Sequence, residues 1–77
     1  MPTKGEYRVG IDFNPSGDEM VNAIKRMAAD AIDLIDTIPA STDEVWRLKA
    51  LACTAAEEAA MWAVKAATKK DWSPRNG

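Results

Sequence analysis

The fold of this chain is decided by residues 54–70, TAAEEAAMWAVKAATKK. Alanine has the highest intrinsic helix propensity, so this alanine-rich stretch predicts a helix that needs little help from its surroundings. Trp62 is its one large aromatic residue, Glu57 and Glu58 lie on its N-terminal side, and its lysines follow the tryptophan. Small side chains let a second helix approach closely, so we expect this helix to pack against protein.

The complete helix is predicted over residues 42–70. Ser41 and Glu44 have the spacing of a capping box, with Ser41 as the cap and Glu44 reaching back. The apolar line of the helix consists of Val45, Leu48, Ala52, Ala55, Ala59, Trp62 and Ala66.

A first helix is predicted over residues 18–38, where Asp18 or Ser16 can act as its cap. Pro39 ends it, because the residue before a proline is disfavoured in helical geometry. Steps of three and four between apolar residues predict a seam that faces other helices. The seam consists of Met20, Ile24, Met27, Ala31, Leu34 or Ile35, and Ile38, and it is widened by Val21, Ala28 and Ile32.

The short link between the two helices predicts an antiparallel αα-hairpin. Residues 1–17 contain prolines and glycines and show no helical period, so we expect an ordered coil that lies on the helices. Residues 71–77, DWSPRNG, are rich in helix breakers and are expected to form a tail. The 77 residues are therefore predicted to form a single all-α domain, a helical hairpin with an ordered N-terminal arm.

The hairpin is expected to assemble into a homo-oligomer. A chain this short buries only about 60% of its unfolded surface, and small scaffolds usually need disulfides, a metal or partner subunits. Cys53 is the single cysteine and there is no histidine, which excludes an internal disulfide and argues against a structural zinc site. The hydrophobic fraction of 47% is high for this length and fits a surface shared between copies.

Charge and hydropathy exclude several classes of function. The net charge of −2 provides no basic footprint for DNA or RNA polymers. The first residues, MPTKGEYRVG, lack the apolar core of a signal peptide, and no apolar run approaches the ~20 residues that span a membrane. We therefore expect a soluble, cytoplasmic protein with a reduced thiol.

No catalytic constellation is found in the sequence. Asp30, Asp33 and Asp36 recur every three residues, but carboxylate metal bundles also use histidine, so a solvated acidic face is the expected interpretation. Cys53 has no histidine to activate it and is read as a small buried hydrophobic residue. We expect neither an enzyme nor a cofactor.

One end of the hairpin is expected to be basic. In an antiparallel hairpin the start of the first helix meets the end of the second, and Tyr7 and Phe13 lie on the arm at that end. An aromatic ring, a lysine and a helix N-terminus are the groups that bind a small phosphorylated nucleotide. A basic helix end with its aromatic residues in the core fits equally well. The cations expected to converge there are Lys4, Arg8, Lys25, Arg26, Lys65, Lys69, Lys70 and Arg75.

Three segments in order, IDFNPSG at 11–17, IKRMA at 24–28 and EEAAMWAVKAATK at 57–69, resemble the short bacteriophage anti-CBASS sponge proteins. Their helical-hairpin domain is shared with Thoeris anti-defence sponges. The resemblance covers residues 11–70 and implies a helical hexamer in the cytoplasm of an infected bacterium. It also implies sequestration, without cleavage, of the cyclic di- and trinucleotides made by bacterial immune cyclases.

The resemblance also implies roles for single residues. Phe13 falls on the base-stacking tyrosine of the family, Asn14 on its histidine and Pro15 on its proline. Lys25 falls on the phosphate-binding basic residue, and Lys69 falls near a second, trinucleotide pocket. Phe13 lacks the hydroxyl of the tyrosine, and the turn before Lys25 looks shorter than in many relatives.

Tyr7 and Arg8 complete the predicted ligand-binding set, because they lie on the arm at the basic end. Two other functions stay open. A phage-encoded helical oligomer could dock on a host protein, which would require an exposed apolar patch. The hairpin could also bind a cyclic ADP-ribose-type signal, as related Thoeris inhibitors do.

Overall fold

The computed structural model describes residues 1–14 and 17–69 of the chain. Within this part it contains three α-helices and no strand: α1 at Lys4–Val9, α2 at Glu19–Asp36 and α3 at Asp43–Ala67. The all-α prediction is confirmed, and α2 and α3 form the predicted hairpin. The predicted tail and Lys70 lie outside the described residues.

The first backbone N–H groups of α2 have no partner within the helix, and a side chain caps one of them. Asp18 is the N-cap, and its carboxylate accepts a hydrogen bond of 2.8 Å from the Met20 N–H. The other predicted cap, Ser16, lies outside the described residues. At the far end Thr37 is the C-cap, and its hydroxyl donates to the Leu34 carbonyl at 2.6 Å. The helix therefore ends before Pro39.

The cap of α3 differs from the predicted one. Thr42, not Ser41, precedes the helix, and its hydroxyl accepts from the Val45 N–H at 3.2 Å. The backbone of Thr42 is extended, with φ −140° and ψ 163°, which is the geometry an N-cap needs. Glu44 does not reach back to a cap, because it forms an ion pair of 2.8 Å with Arg47.

The N-terminal arm is not the coil that the sequence predicts, because it contains α1. Thr3 and Glu6 form a full capping box: the Thr3 hydroxyl accepts from the Glu6 N–H at 3.1 Å, and the Thr3 N–H donates to the Glu6 carboxylate at 2.9 Å. Gly10 ends the helix in the left-handed region, with φ 63°. Four backbone N–H groups at a helix start need partners, and this box supplies two.

α1 lies antiparallel on α2 and approaches it closely at Gly5. A Cβ atom on Gly5 would lie 2.1 Å from the Ala29 carbonyl oxygen, and Ala29 has no exposed surface. Polar contacts hold the rest of α1. The Gly5 N–H donates to Asp33 at 2.7 Å, and Lys4 pairs with Asp36 at 3.0 Å.

The hydrophobic core of the described residues is small. Its buried members are Val21, Ala29, Ile32, Cys53 and Ala60. The Cα atoms span 49 × 31 × 12 Å, so the three helices form a flat layer. A layer this thin has no second layer to cover its faces.

The apolar lines predicted for the two long helices lie mostly at the surface. Met27, Leu34 and Trp62 are 73%, 70% and 56% exposed. On α2, the side that packs against the rest of the chain carries Val21 and Ile32 instead. Val21 and Ile32, which widen the predicted seam, thus form the contact within one chain, whereas Met27 and Leu34 of the seam itself stay exposed.

Replacing Gly5 by alanine should destabilise the protein. In an exposed helix interior, glycine to alanine stabilises by about 0.5–1 kcal/mol. Here the added methyl meets the Ala29 backbone, and overpacking of this kind costs about 1–3 kcal/mol. Urea unfolding followed by circular dichroism measures the difference, and a more stable Gly5→Ala variant would contradict the close contact.

Candidate ligand-binding site

The turn between α1 and α2 carries two of the predicted site residues, Phe13 and Asn14. Gly10 donates its N–H to the carbonyls of Glu6 and Tyr7, and the Ile11 N–H donates to Glu6 at 3.0 Å. The Phe13 N–H then donates back to the Gly10 carbonyl at 2.9 Å. These bonds close α1 and start the turn that leads to α2.

Phe13 presents its aromatic ring to solvent. The side chain is 74% exposed, so it is not part of the core. The ammonium nitrogen of Lys25 lies 5.3 Å from the ring centroid, within the range of a cation–π contact. The structure thus places the predicted stacking residue beside the predicted phosphate-binding residue.

Lys25 itself is unusual because it is only 7% exposed. Its ammonium donates to the Gly10 carbonyl at 3.0 Å and also to the Phe13 carbonyl. A buried cation is costly unless it is hydrogen-bonded, and these carbonyls provide the compensation. An ammonium has three N–H donors, and two of them are used here.

Asn14 fastens the turn to the start of α2. Its amide nitrogen donates to the Asp18 carbonyl at 2.9 Å and to the Asn22 side chain at 2.8 Å. Its amide oxygen accepts from the Asp18 N–H at 3.3 Å. In the free protein Asn14 therefore organises the turn. Pro15, the next predicted site residue, lies outside the described residues.

Arg8 joins α1 to α3. Its guanidinium donates two hydrogen bonds to the Glu57 carboxylate, at 2.8 and 3.1 Å, and a longer one to the Thr54 hydroxyl at 3.4 Å. Glu57 is a residue of this region that the sequence analysis did not connect with Arg8. No sequence signal pairs them, because the contact depends on the position of α1.

A cleft of about 520 Å³ opens beside this ion pair, where the three helices meet. Lys25 contributes to its wall, so the cleft and the turn share that residue. The walls mix charged and apolar groups. The lining consists of Arg8, Val9, Lys25, Thr54, Glu57, Glu58, Ala60, Met61 and Val64.

Two predicted site residues do not join this group within one chain. Tyr7 is 79% exposed on α1. Lys69 follows the end of α3, where its N–H donates to the Ala66 carbonyl at 3.3 Å. Within the described residues, neither forms a hydrogen bond, ion pair or cation–π contact with the side chain of Phe13 or Lys25.

The predicted convergence of cations on one end is wrong for Lys4. Lys4 lies at the opposite end of α2, beside Asp36. Arg26 forms ion pairs of 2.7 Å with Glu6 and 2.9 Å with Asp30. Arg75 lies outside the described residues.

The acidic stripe on α2 is not merely solvated, because two of its members bind α1. Asp36 pairs with Lys4, and Asp33 accepts from the Gly5 N–H. The hydrogen bond from Thr3, followed by the one from Gly5, lowers the pKa of Asp33 below its ordinary value. Hydrogen bonds from Arg26 and then from Thr3 lower the pKa of Glu6 in the same way.

Other kinds of site gain no support from residues 1–14 and 17–69. No group of three or more potential metal ligands occurs among them. Cys53 is buried, as predicted, with 2% of its surface exposed. The helices in this part of the chain are too short or too polar to cross a membrane.

The fold and the turn define a helical-hairpin domain. The model of the Acb2/Tad1 hairpin domain matches residues 5–68, from the first turn of α1 to just beyond α3, so the chain belongs to the Acb2/Tad1 hairpin family. This is the anti-CBASS and Thoeris sponge family that the sequence resembles. No curated protein and no solved structure matches the chain.

Membership of this family indicates the class of function of the chain. The family consists of sponge-like anti-defence domains that bind cyclic nucleotide signals and is not a known enzyme family.

Acid should weaken the docking of α1 on α2. The folded-state pKa values of Glu6 and Asp33 lie below the ordinary values of 4.5 and 3.8, so their ionised forms stabilise the folded state above those values. This stabilisation is lost as the pH falls through the lower folded-state values.

We therefore expect the free energy of unfolding to fall below pH 4.5, and to fall less steeply in Asp33→Asn than in the wild type. Urea titrations at a series of pH values measure both slopes. Equal slopes for the two proteins would show that Asp33 does not contribute.

Proposed function

We propose that this protein is an anti-defence sponge that sequesters cyclic di- and trinucleotide immune signals without cleaving them, with its dinucleotide site at the turn between α1 and α2. One observation carries the proposal: the Phe13 ring is 74% exposed and has the Lys25 ammonium 5.3 Å from its centroid. A nucleotide presents a flat base next to a phosphate, and this pair of side chains matches both groups.

Lys25 differs from the other cations near the turn in the charge of the groups that bind it. Arg8 is bound by the carboxylate of Glu57, and Arg26 by those of Glu6 and Asp30. Lys25 is bound by neutral carbonyls, so its positive charge is not cancelled by a contacting carboxylate. A phosphate is therefore attracted more strongly to Lys25 than to the two arginines.

The other predicted residues have subsidiary roles in this proposal. Asn14 shapes the rim of the dinucleotide site, Tyr7 and Arg8 flank it on α1, and for Pro15 we keep the role that the resemblance implies. We assign Lys69 to the second, trinucleotide pocket that the resemblance implies. Sequestration follows from mass action, since signal bound in the cytoplasm of the infected bacterium is unavailable to its receptor.

An interaction protein that docks on a host factor is the second candidate. The exposed apolar residues favour it, because surface patches of this kind mark protein contacts. Self-assembly accounts for the same residues, and the ligand test separates the two functions. A cyclic ADP-ribose-type signal is the alternative ligand.

Phe13→Ala should weaken nucleotide binding. Stacking of a base on an aromatic side chain contributes about 1–3 kcal/mol. A thermal-shift panel of cyclic di-AMP, cyclic di-GMP, mixed cyclic GMP–AMP, a cyclic trinucleotide and cyclic ADP-ribose identifies the ligand, since one present at ~100 times its Kd adds about 2.7 kcal/mol. Calorimetry then measures how much binding free energy Phe13→Ala loses. Chromatography of the nucleotide released from the protein should recover it intact.

Phe13→Tyr and Trp46→Ala are the matched variants for this experiment. Tyrosine keeps the stacking face and adds a hydroxyl, so it should bind at least as tightly as the wild type. Trp46 is also exposed and also lies beside a lysine ammonium, at 5.3 Å from that of Lys49, but it is on α3. Unchanged binding by Phe13→Ala, or equal losses in Phe13→Ala and Trp46→Ala, would reject the site.

The protein should be an oligomer, and a hexamer by resemblance. The flat layer of helices leaves Met27 and Leu34 exposed on α2, and burying them between copies removes this apolar surface from water. Light scattering at micromolar concentration should give a multiple of 8.4 kDa, and Leu34→Lys should lower it. A stable folded monomer of 8.4 kDa would contradict assembly.

A further inference from the structure

We propose that Lys25 is a positioning residue, which holds the Gly10–Phe13 turn closed in the free protein and thereby presents the Phe13 ring. The turn-closing role needs no ligand. Only its consequence for binding rests on the proposed function.

Lys25 contacts the turn at three points. Its ammonium donates to the Gly10 carbonyl and to the Phe13 carbonyl, and it lies over the Phe13 ring. Lysine is almost never fully buried unless its charge has partners, and Lys25 is 7% exposed. The partners of this buried charge all belong to one short segment that precedes α2.

Apolar packing contributes little to that segment, and Asn14 bonds its end to Asp18 and Asn22. None of residues 10–14 is buried, and the Phe13 ring is mostly in water. The segment has one internal backbone bond across the turn, from the Phe13 N–H to the Gly10 carbonyl. Apolar packing therefore cannot fix the turn. The bonds from Lys25 join Gly10 and Phe13 to the body of α2, as the bonds from Asn14 join the end of the segment to the start of the helix.

The other connection of the hairpin repeats this arrangement. Lys49 on α3 donates to the carbonyls of Asp36 and Ile38, at 3.1 and 2.6 Å, and its ammonium lies 5.3 Å from the Trp46 ring centroid. In both places a lysine ammonium binds two carbonyls of a turn and one aromatic ring. Lys49 is therefore a matched control with the same chemistry at a different turn.

The hydrogen bonds to the turn limit how many N–H donors Lys25 can offer directly to a ligand. Two of its three N–H donors are used by carbonyls, so one remains for a phosphate oxygen while the turn stays closed. Its larger contribution to binding is then made through Phe13. Arginine cannot replace it, because a planar guanidinium does not direct its donors as a compact ammonium does.

Amide hydrogen exchange tests the turn without any ligand. The Phe13 amide reports the closed turn, because it donates to the Gly10 carbonyl. In Lys25→Met, which keeps a long apolar stem, we expect this amide to exchange about tenfold faster or more, as for the loss of a hydrogen bond from a charged group. Lys49→Met should leave it unchanged, with amides in the middle of α2 as the reference for global stability.

Unchanged Phe13 exchange in folded Lys25→Met would overturn the proposal. If that variant does not fold, a measurement on the wild-type protein tests the proposal instead. With ¹⁵N-labelled lysine, the Lys25 ammonium should appear as a signal in slow exchange with water, and fast exchange would overturn the proposal. Neither result depends on nucleotide binding, so failure of the sponge function leaves this test intact.

The consequence of the closed turn for nucleotide binding is tested with the ligand that binds most tightly in the thermal-shift panel of cyclic nucleotides. Calorimetry on the wild type, Lys25→Met, Phe13→Ala and the double variant gives a double-mutant cycle. If Lys25 acts through Phe13, its replacement lowers affinity less when Phe13 is already alanine. Equal losses in both backgrounds would show that Lys25 acts on the phosphate alone and would reject the positioning role.

Discussion

The close approach of α1 to α2 at Gly5 is the constraint on which the candidate site depends. Only a residue without a Cβ atom fits against the Ala29 carbonyl, since a methyl group there would lie 2.1 Å from its oxygen. With α1 seated at this depth, its C-terminal end places the Gly10 carbonyl 3.0 Å from the Lys25 ammonium. The position of the Phe13 ring therefore follows from a backbone contact at the other end of α1.

α1 is held mainly by polar groups, and this makes the site responsive to solution conditions. A helix of six residues is not stable by itself, and the exposed Tyr7 contributes no burial. Its contacts are ion pairs and hydrogen bonds with Asp33, Asp36 and Arg26. Such exposed pairs are individually weak and are screened by salt, so α1 depends on several of them acting together.

The sequence predicts the long helices well, because alanine content and apolar period indicate α2 and α3, although Thr42 and not Ser41 caps α3. It misses α1, although Thr3 and Glu6 have capping-box spacing, because six residues are too few to show a period. It does place Lys25 beside Phe13, since helical side chains lean toward the N-terminus. The burial of Lys25 is beyond sequence reasoning, because it depends on where two turn carbonyls point.

The lysine–aromatic pairs at the two turns are chemically alike, and each lies between the C-terminal end of one helix and the N-terminal end of the next. Lys25 and Phe13 lie between α1 and α2, and Lys49 and Trp46 lie between α2 and α3. Helix dipoles therefore do not distinguish the two turns toward an anion. The cleft distinguishes them, because Lys25 contributes to its wall whereas Trp46 and Lys49 do not. A nucleotide stacked on Phe13 has this open space beside it, and this favours the turn between α1 and α2 as the nucleotide site.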